Sequence, residues 1–178
     1  MRVIAGHWGG RRLQAPAGAA TRPTSDRVRE ALFSILGDKV AGARVLDLFA
    51  GSGALGIEAL SRGAAEATFV DSSPAAVKAV KANLEALGAV ANVRRADARV
   101  FLRGASGAGG HYDLVFLDPP YRLAERLGRE LSEALPAVLA PGGLVISESD
   151  RRSVLHLDMT PTDERRYGDT VIRIHGPR

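Results

Sequence analysis

The chain has 178 residues, 46% of them apolar, no cysteine and a formal charge of +4. That length suits one domain with one main core that buries about 70% of the unfolded surface. The missing cysteines exclude disulfides and thiolate metal sites, the scattered His7, His111, His156 and His175 form no local metal motif, and no apolar run nears the roughly 18–20 residues of a membrane span or the core of a signal peptide. A cytoplasmic monomer without a metal is expected.

The basic residues are 21 Arg against three Lys. GC-rich coding alone would produce such a bias, but it does not demand the cluster Arg2, Arg11, Arg12, Arg22, Arg27 and Arg29 near the N-terminus. A guanidinium binds phosphate through two parallel hydrogen bonds, so these six are candidate contacts to a nucleic-acid backbone. Residues 1–24 read as an arginine-rich arm in which Val3-Ile4-Ala5 and Arg12-Leu13-Gln14 pair around Gly9-Gly10. From Ser25, a plausible N-cap, to Leu36 the apolar spacing is helical, with Gly37 as the stop and Arg27, Arg29 and Glu30 on the outer face.

Strand and helix then alternate without a long linker, which points to a mostly parallel sheet covered on both faces. Strands are expected at 44–49, 67–70, 92–96, 114–117 and 143–147, with two more near 163–165 and 170–174. The intervening helices are read at 55–61, from Ser72-Ser73-Pro74 to Gly88, near 99–102, and at 124–139 with a break at Pro136. Gly104–Gly110 reads as a loop, and Pro141-Gly142-Gly143 and Tyr167-Gly168-Asp169 as tight turns.

Four acids, Asp47, Asp71, Asp97 and Asp118, each close one of the first four strands, and open parallel sheets bind ligands beyond the carboxyl ends of their strands. Singly, each acid would more often be a cap or turn former. Gly51-Ser52-Gly53-Ala54-Leu55-Gly56 follows the first strand, and Asp71 lies 20 residues after Gly51, as in a dinucleotide fingerprint. Asp47 argues otherwise, because a carboxylate there repels pyrophosphate and attracts a cation such as the ammonium and sulfonium of S-adenosylmethionine (SAM). Asp71 can accept from ribose hydroxyls, and Asp97 from an adenine amino group, with the Ala98 N–H facing a ring nitrogen.

Asp118-Pro119-Pro120-Tyr121 follows the apolar run 112–117. An exocyclic amine is a poor nucleophile because its lone pair is drawn into the ring. Asp118 and the Pro119 carbonyl can hold its N–H bonds, the two prolines remove competing donors, and Tyr121 can stack on the base for about 1–3 kcal/mol.

Asp47-Leu48-Phe49-Ala50-Gly51-Ser52-Gly53-Ala54-Leu55-Gly56 resembles the first motif of class I SAM-dependent methyltransferases, and Asp118–Tyr121 resembles their fourth motif in enzymes acting on amino nitrogens. The segments 1–6, 10–13, 21–33 and 167–170 narrow the resemblance to the bacterial RsmD family, the 16S ribosomal RNA (guanine(966)-N(2))-methyltransferases. It implies a Rossmann-like seven-stranded sheet with an antiparallel last strand, and 16S rRNA in an assembled or partly assembled 30S subunit as substrate. It also implies a donor site that includes Phe49, Ala50, Ser52, Gly56 and Ser72. Three other readings stay open: a different nucleic-acid amino methyltransferase such as one for DNA adenine, a non-catalytic RNA-binding module, and a dinucleotide-dependent oxidoreductase.

Overall fold

The computed structural model describes residues 1–18, 25–105 and 111–176, without the side chains of residues 121–125. Five helices, α1 (Asp26–Leu36), α2 (Ala54–Ser61), α3 (Pro74–Leu87), α4 (Ala98–Ala105) and α5 (Tyr121–Ala134), alternate with seven strands among these residues. The strands are β1 (Arg44–Leu48), β2 (Glu66–Asp71), β3 (Asn92–Arg95), β4 (Tyr112–Leu117), β5 (Leu139–Asp150), β6 (Pro161–Tyr167) and β7 (Thr170–His175). They form one sheet in the order β3-β2-β1-β4-β5-β7-β6. Strands β1 to β5 pair in parallel, and β7 runs antiparallel to both of its neighbours, as the resemblance implies.

Side-chain alternation divides the sheet into two apolar layers. Val45, Phe69, Leu114, Phe116, Ile146 and Ile172 pack with α1, α2 and α3 on one face, while Leu46, Leu48, Val70, Val115, Leu117 and Val145 pack with α4 and α5 on the other. The same alternation places Asp47 on the α2 side of β1. On both β4 and β5 it points the next acid beyond the apolar run toward that same face. Since Leu117 is in register with Ser147, Asp118 and Glu148 come side by side.

The helix limits follow local chemistry. The Ser25 hydroxyl accepts from the Val28 N–H and starts α1, and Ser73 accepts from Ala76 with Pro74 at the first turn of α3, which Gly88 ends at φ 66°. Pro136 lies in a 3-10 turn, Leu135–Ala137, that separates α5 from β5, so the expected break occurs. Gly104 and Ala105 prolong α4; the remainder of the expected glycine loop lies outside the described residues.

Two expectations shift. The turn at Pro141-Gly142-Gly143 lies inside β5, where the register with β4 jumps from Tyr112↔Leu139 to Leu114↔Leu144. The strand thus absorbs the turn chemistry as a bulge, with Gly142 at φ 80°. The arm does form a hairpin, but it pairs nearer the N-terminus: Arg2 bridges Arg12, and the Leu13 N–H reaches the Met1 carbonyl at 3.1 Å. Ile4 and Ala5 are drawn off the hairpin because their N–H groups bind the Glu58 carboxylate at 2.7 and 3.1 Å.

Helix α2 sits close to β2 because Gly56 has no side chain. A Cβ at this position would stand 2.3 Å from the Phe69 ring. The Phe69 ring is fully buried in the core, so it can move only by displacing its neighbours. Gly56→Ala is therefore expected to lower unfolding stability by about 1–3 kcal/mol, read as a reduced urea midpoint at unchanged m-value.

Candidate functional site

A cavity of about 500 Å³ opens at the carboxyl edge of the sheet, between the ends of β1, β2 and β4 and the start of α4. Asp47, Asp71, Asp97 and Asp118 all line it, as do Phe49, Ala50, Gly51, Ser52, Ser72, Ala98, Pro119 and Pro120. Gly53 and Gly56 are absent from its wall: both are buried behind it, and Gly56 serves the packing of α2 on Phe69. The volume lies within the range of small-molecule sites.

The glycine turn is shaped by the acids around it. Phe49 takes φ 66°, rare for a bulky residue, and Gly51 and Gly53 follow at φ 56° and 79°. The Gly51 N–H donates to Asp71 Oδ2 at 2.9 Å, the Gly53 N–H to the Ala50 carbonyl at 2.6 Å, and the Gly56 N–H to Asp47 Oδ2 at 2.9 Å. These three donors, which a dinucleotide site would turn toward pyrophosphate, are spent within the protein. What faces the cavity is carboxyl oxygen rather than N–H.

Asp47 is 2% exposed, and burial pushes its carboxyl up to about 8 against the pull of the Gly56 N–H, with nearby Asp71 adding to the rise. The Asp71 carboxylate also accepts from the Ser73 N–H at 2.8 Å, which ties the end of β2 to the start of α3. Asp118 is raised well above the ordinary carboxylate range by burial, by Glu148 and by Asp47.

Asp97 differs from the other three. Arg99 grips it through its backbone N–H at 2.9 Å and through Nε at 3.0 Å and an Nη at 3.1 Å, which holds the carboxyl below its ordinary range. Arg99 reaches on to Glu130 at 3.3 Å and so fastens α4 to α5. Asp97 is thus first a helix cap and ion-pair partner, and only its Oδ2 side has room for a further donor.

The arginine cluster divides. Arg11, Arg12 and Arg27 are exposed, although one Arg11 Nη donates to the Ala86 carbonyl at 2.8 Å. Arg2 is exposed and pairs with Asp26 at 3.1 Å. Arg29 corrects the expectation: it is fully buried, donating to the Arg2 carbonyl and to Asp26 at 2.9 Å, and cannot meet phosphate. Its place three and four residues before the buried Leu32 and Phe33 puts it on the inner stripe of α1. Arg22 and the side chain of Tyr121 lie outside the described residues.

Sequence reasoning missed four polar residues at or behind this cavity: Glu58, Asn83, Arg99 and Glu148. Glu58, Asn83 and Glu148 are 0%, 2% and 6% exposed. Each stands at an inward position of an otherwise apolar stripe, and this was the available signal. Among the described residues no cluster of acids and histidines is arranged to hold a metal ion, and no helix is long and apolar enough to cross a membrane.

The buried carboxyls set a sign for pH dependence. An unfolded Asp titrates near 3.9, whereas folded Asp47 titrates near 8, so the folded state holds an extra proton between these values. Stability should therefore fall as pH rises from about 4 to about 8, by up to about 1.4 kcal/mol per pH unit for one such group. Asp118 shifts the same way and adds to the slope. Asp47→Asn should flatten the dependence and raise stability at pH 8.5; urea midpoints from pH 5 to 9 measure both.

Comparison with known proteins agrees with this geometry. Residues 1–176 match the family described as Conserved hypothetical protein 95. YlbH of Bacillus subtilis (strain 168), provisionally named an rRNA methyltransferase, is 41% identical, and the match spans 100% of both chains. Ribosomal RNA small subunit methyltransferase D of Haemophilus influenzae is 38% identical over 98% of this chain and 93% of its own. The solved structure of a hypothetical protein from Thermus thermophilus superposes with a TM-score of 0.86 at 34% identity, covering 99% of both chains. With its family matched from end to end and its sheet carrying the fold of that family, the chain belongs to the RsmD family of methyltransferases.

Proposed function

We propose that this protein transfers a methyl group from SAM to the exocyclic N2 of a guanine in 16S rRNA, at position 966, within an assembled or partly assembled 30S subunit. The observation that carries the reading is the meeting of Asp47, Asp71 and Asp118 on one cavity whose glycine-turn N–H donors are already consumed. A ligand for such a site must bring cationic groups and hydroxyl donors, and SAM brings both. Pyrophosphate would find carboxylates where it needs N–H groups, which counts against the oxidoreductase reading. The names of the relatives support rRNA as substrate.

In this reading Asp47 attracts the cationic methionine end and Asp71 accepts from the ribose hydroxyls. Phe49, Ala50, Gly51, Ser52, Ser72 and Ala98 supply the close walls, and Asp97 offers Oδ2 toward the adenine. When bound, the donor supplies an electrophilic methyl on a sulfonium. Guanine leaves its stack at a cost of a few kcal/mol, smaller in a loop than in a duplex. Asp118 and the Pro119 carbonyl then hold the two N2 hydrogens and aim the nitrogen lone pair, with Tyr121 against the base. Pro119 and Pro120 keep the carbonyls free of competing N–H groups. As N2 gains the methyl it must lose a proton; burial favours the neutral form of Asp118 in the empty site, the arriving donor cation favours its ionised form, and that carboxylate can then take the N2 proton. Rate is gained chiefly by positioning.

Asp118→Ala should lower transfer by about 10²–10⁴-fold while S-adenosylhomocysteine (SAH) binds as before. Tritium transfer to 30S particles from cells lacking the gene, with mass mapping of the product, tests this; labelling of duplex DNA in place of the particles would favour the DNA-adenine reading. Because Asp47 is mostly protonated at pH 7, SAM binding should release a proton, seen in calorimetry as a heat that varies with the buffer's ionisation enthalpy and shrinks in Asp47→Asn. Arg2, Arg11, Arg12 and Arg27 are the proposed phosphate contacts, with Arg22 a fifth. Five contacts give a slope of log K against log salt of about −3.5; a flat dependence would remove the arm from RNA binding.

A further inference from the structure

We infer that Asn83 is a positioning residue that fastens the N-terminal arm onto the glycine turn, making residues 15–18 one wall of the donor cavity and donor affinity dependent on the arm. The inference rests on the reading that this cavity holds SAM.

Asn83 lies on α3, buried, among the apolar residues that face the sheet. Its Oδ1 accepts from the Gln14 N–H at 2.8 Å, and its Nδ2 donates to the Gln14 carbonyl at 3.0 Å and to the Ser52 carbonyl at 2.9 Å. The side chain thus pairs with one backbone residue of the arm as a strand neighbour would, and reaches the glycine turn with its remaining donor. Both donors and the acceptor of the amide are engaged. Ser52 grips the other end of the same hairpin, its hydroxyl meeting Met1 Sδ at 3.4 Å.

The residues beyond these two grips face the cavity: Met1 on one side, and Ala15, Pro16, Ala17 and Gly18 on the other. Upstream, the arm is pinned to α2. Glu58 accepts from Ile4 and Ala5, the Trp8 N–H reaches Ser61 Oγ at 3.0 Å, and the backbone at Gly6 runs so near Ser61 that a Cβ would stand 1.9 Å from its carbonyl oxygen. That anchor fixes the hairpin but does not direct its outgoing strand over the cavity. Direction comes at Gln14, from a side chain that does not itself line the cavity. A buried amide replaced by an alkyl group would leave the Gln14 N–H and the Ser52 carbonyl without these partners, and the outgoing strand could then lift away.

The test is SAH calorimetry and steady-state methyl transfer on wild type and Asn83→Ala, with circular dichroism to establish that the variant is folded. The expected result is a rise of about tenfold in both the SAH Kd and the donor KM, with kcat little changed, as for lost uniform binding. Equal Kd and KM in a folded variant, or a loss in kcat alone, would overturn the inference.

A second measurement needs no variant. Trypsin cleavage after the exposed Arg11 and Arg12 of the wild-type protein, followed by mass spectrometry, should slow when SAH is saturating. By reciprocity the protection should level off at the factor by which losing the arm weakens SAH. Cleavage at an unchanged rate would overturn the inference even if Asn83→Ala fails to fold. Wild type that binds no SAH would sink the donor reading and this inference with it, whereas SAH binding that ignores the arm sinks the inference alone.

Discussion

The pairing of strand-end carboxylates with the N–H groups of the glycine turn is the constraint on which the rest of the site depends. A glycine-rich turn leading into a helix is ordinarily an anion site, because its backbone donors and the helix dipole point outward together. Here Asp71 takes the Gly51 donor and Asp47 takes the Gly56 donor. The turn keeps its tight shape but loses its appetite for phosphate, and the cavity inherits the carboxyls of the acids. One backbone geometry thus serves an opposite electrostatic purpose. The switch lies in two side chains contributed by the ends of adjacent strands.

Burying acids close together has a cost, visible in the raised carboxyls of Asp47 and Asp118. Groups held in this way store a preference for a positive neighbour: a cation entering the cavity relieves the repulsion that burial imposed. Glu148 belongs to the same balance although it comes from β5. Its register beside Asp118 brings the charge of a third strand to that end of the cavity, which raises the proton affinity of Asp118.

The parts of this arrangement that repeat along the chain could be read from the sequence, and the parts that depend on one contact could not. Alternation in β1 and β4, the Ser25 and Ser73 caps and the Pro136 break are local, so residue type and spacing reveal them. The four acids were legible for the same reason, since Asp71 and Asp118 sit at the boundary of an apolar run, Asp47 interrupts one, and Asp97 stands between a strand and a helix. Arg29 misled because its neighbour Arg27 is exposed, and only the helical angle from Leu32 and Phe33 separates an inner arginine from an outer one. Asp97 looked like its three companions, yet Arg99, two residues on, claims it. The inward place of Glu58 and Asn83 in apolar stripes is a local signal, but nothing local names their partners in a segment 53 to 69 residues away. Pro141-Gly142-Gly143 spelled a turn correctly in its dihedral chemistry, but whether such a kink ends a strand or bulges within it is decided by the partner strand.

The arm unites the two ends of the problem. One surface of the hairpin offers Arg11 and Arg12 to solvent, while the strand leaving it lines the cavity. If RNA grips the arginines, it stabilises the same arm conformation that completes the cavity, and the two ligands must then favour each other by an equal factor in either order. No movement of the sheet is required, because the linked element is a short segment clasped at Met1, at α2 and at Gln14. An enzyme built this way would hold its donor more firmly once the substrate is engaged and release the spent donor more readily after the RNA departs. The proposed RNA contacts and the proposed donor site are thus joined by one hairpin, which carries exposed arginines and whose outgoing strand lines the cavity.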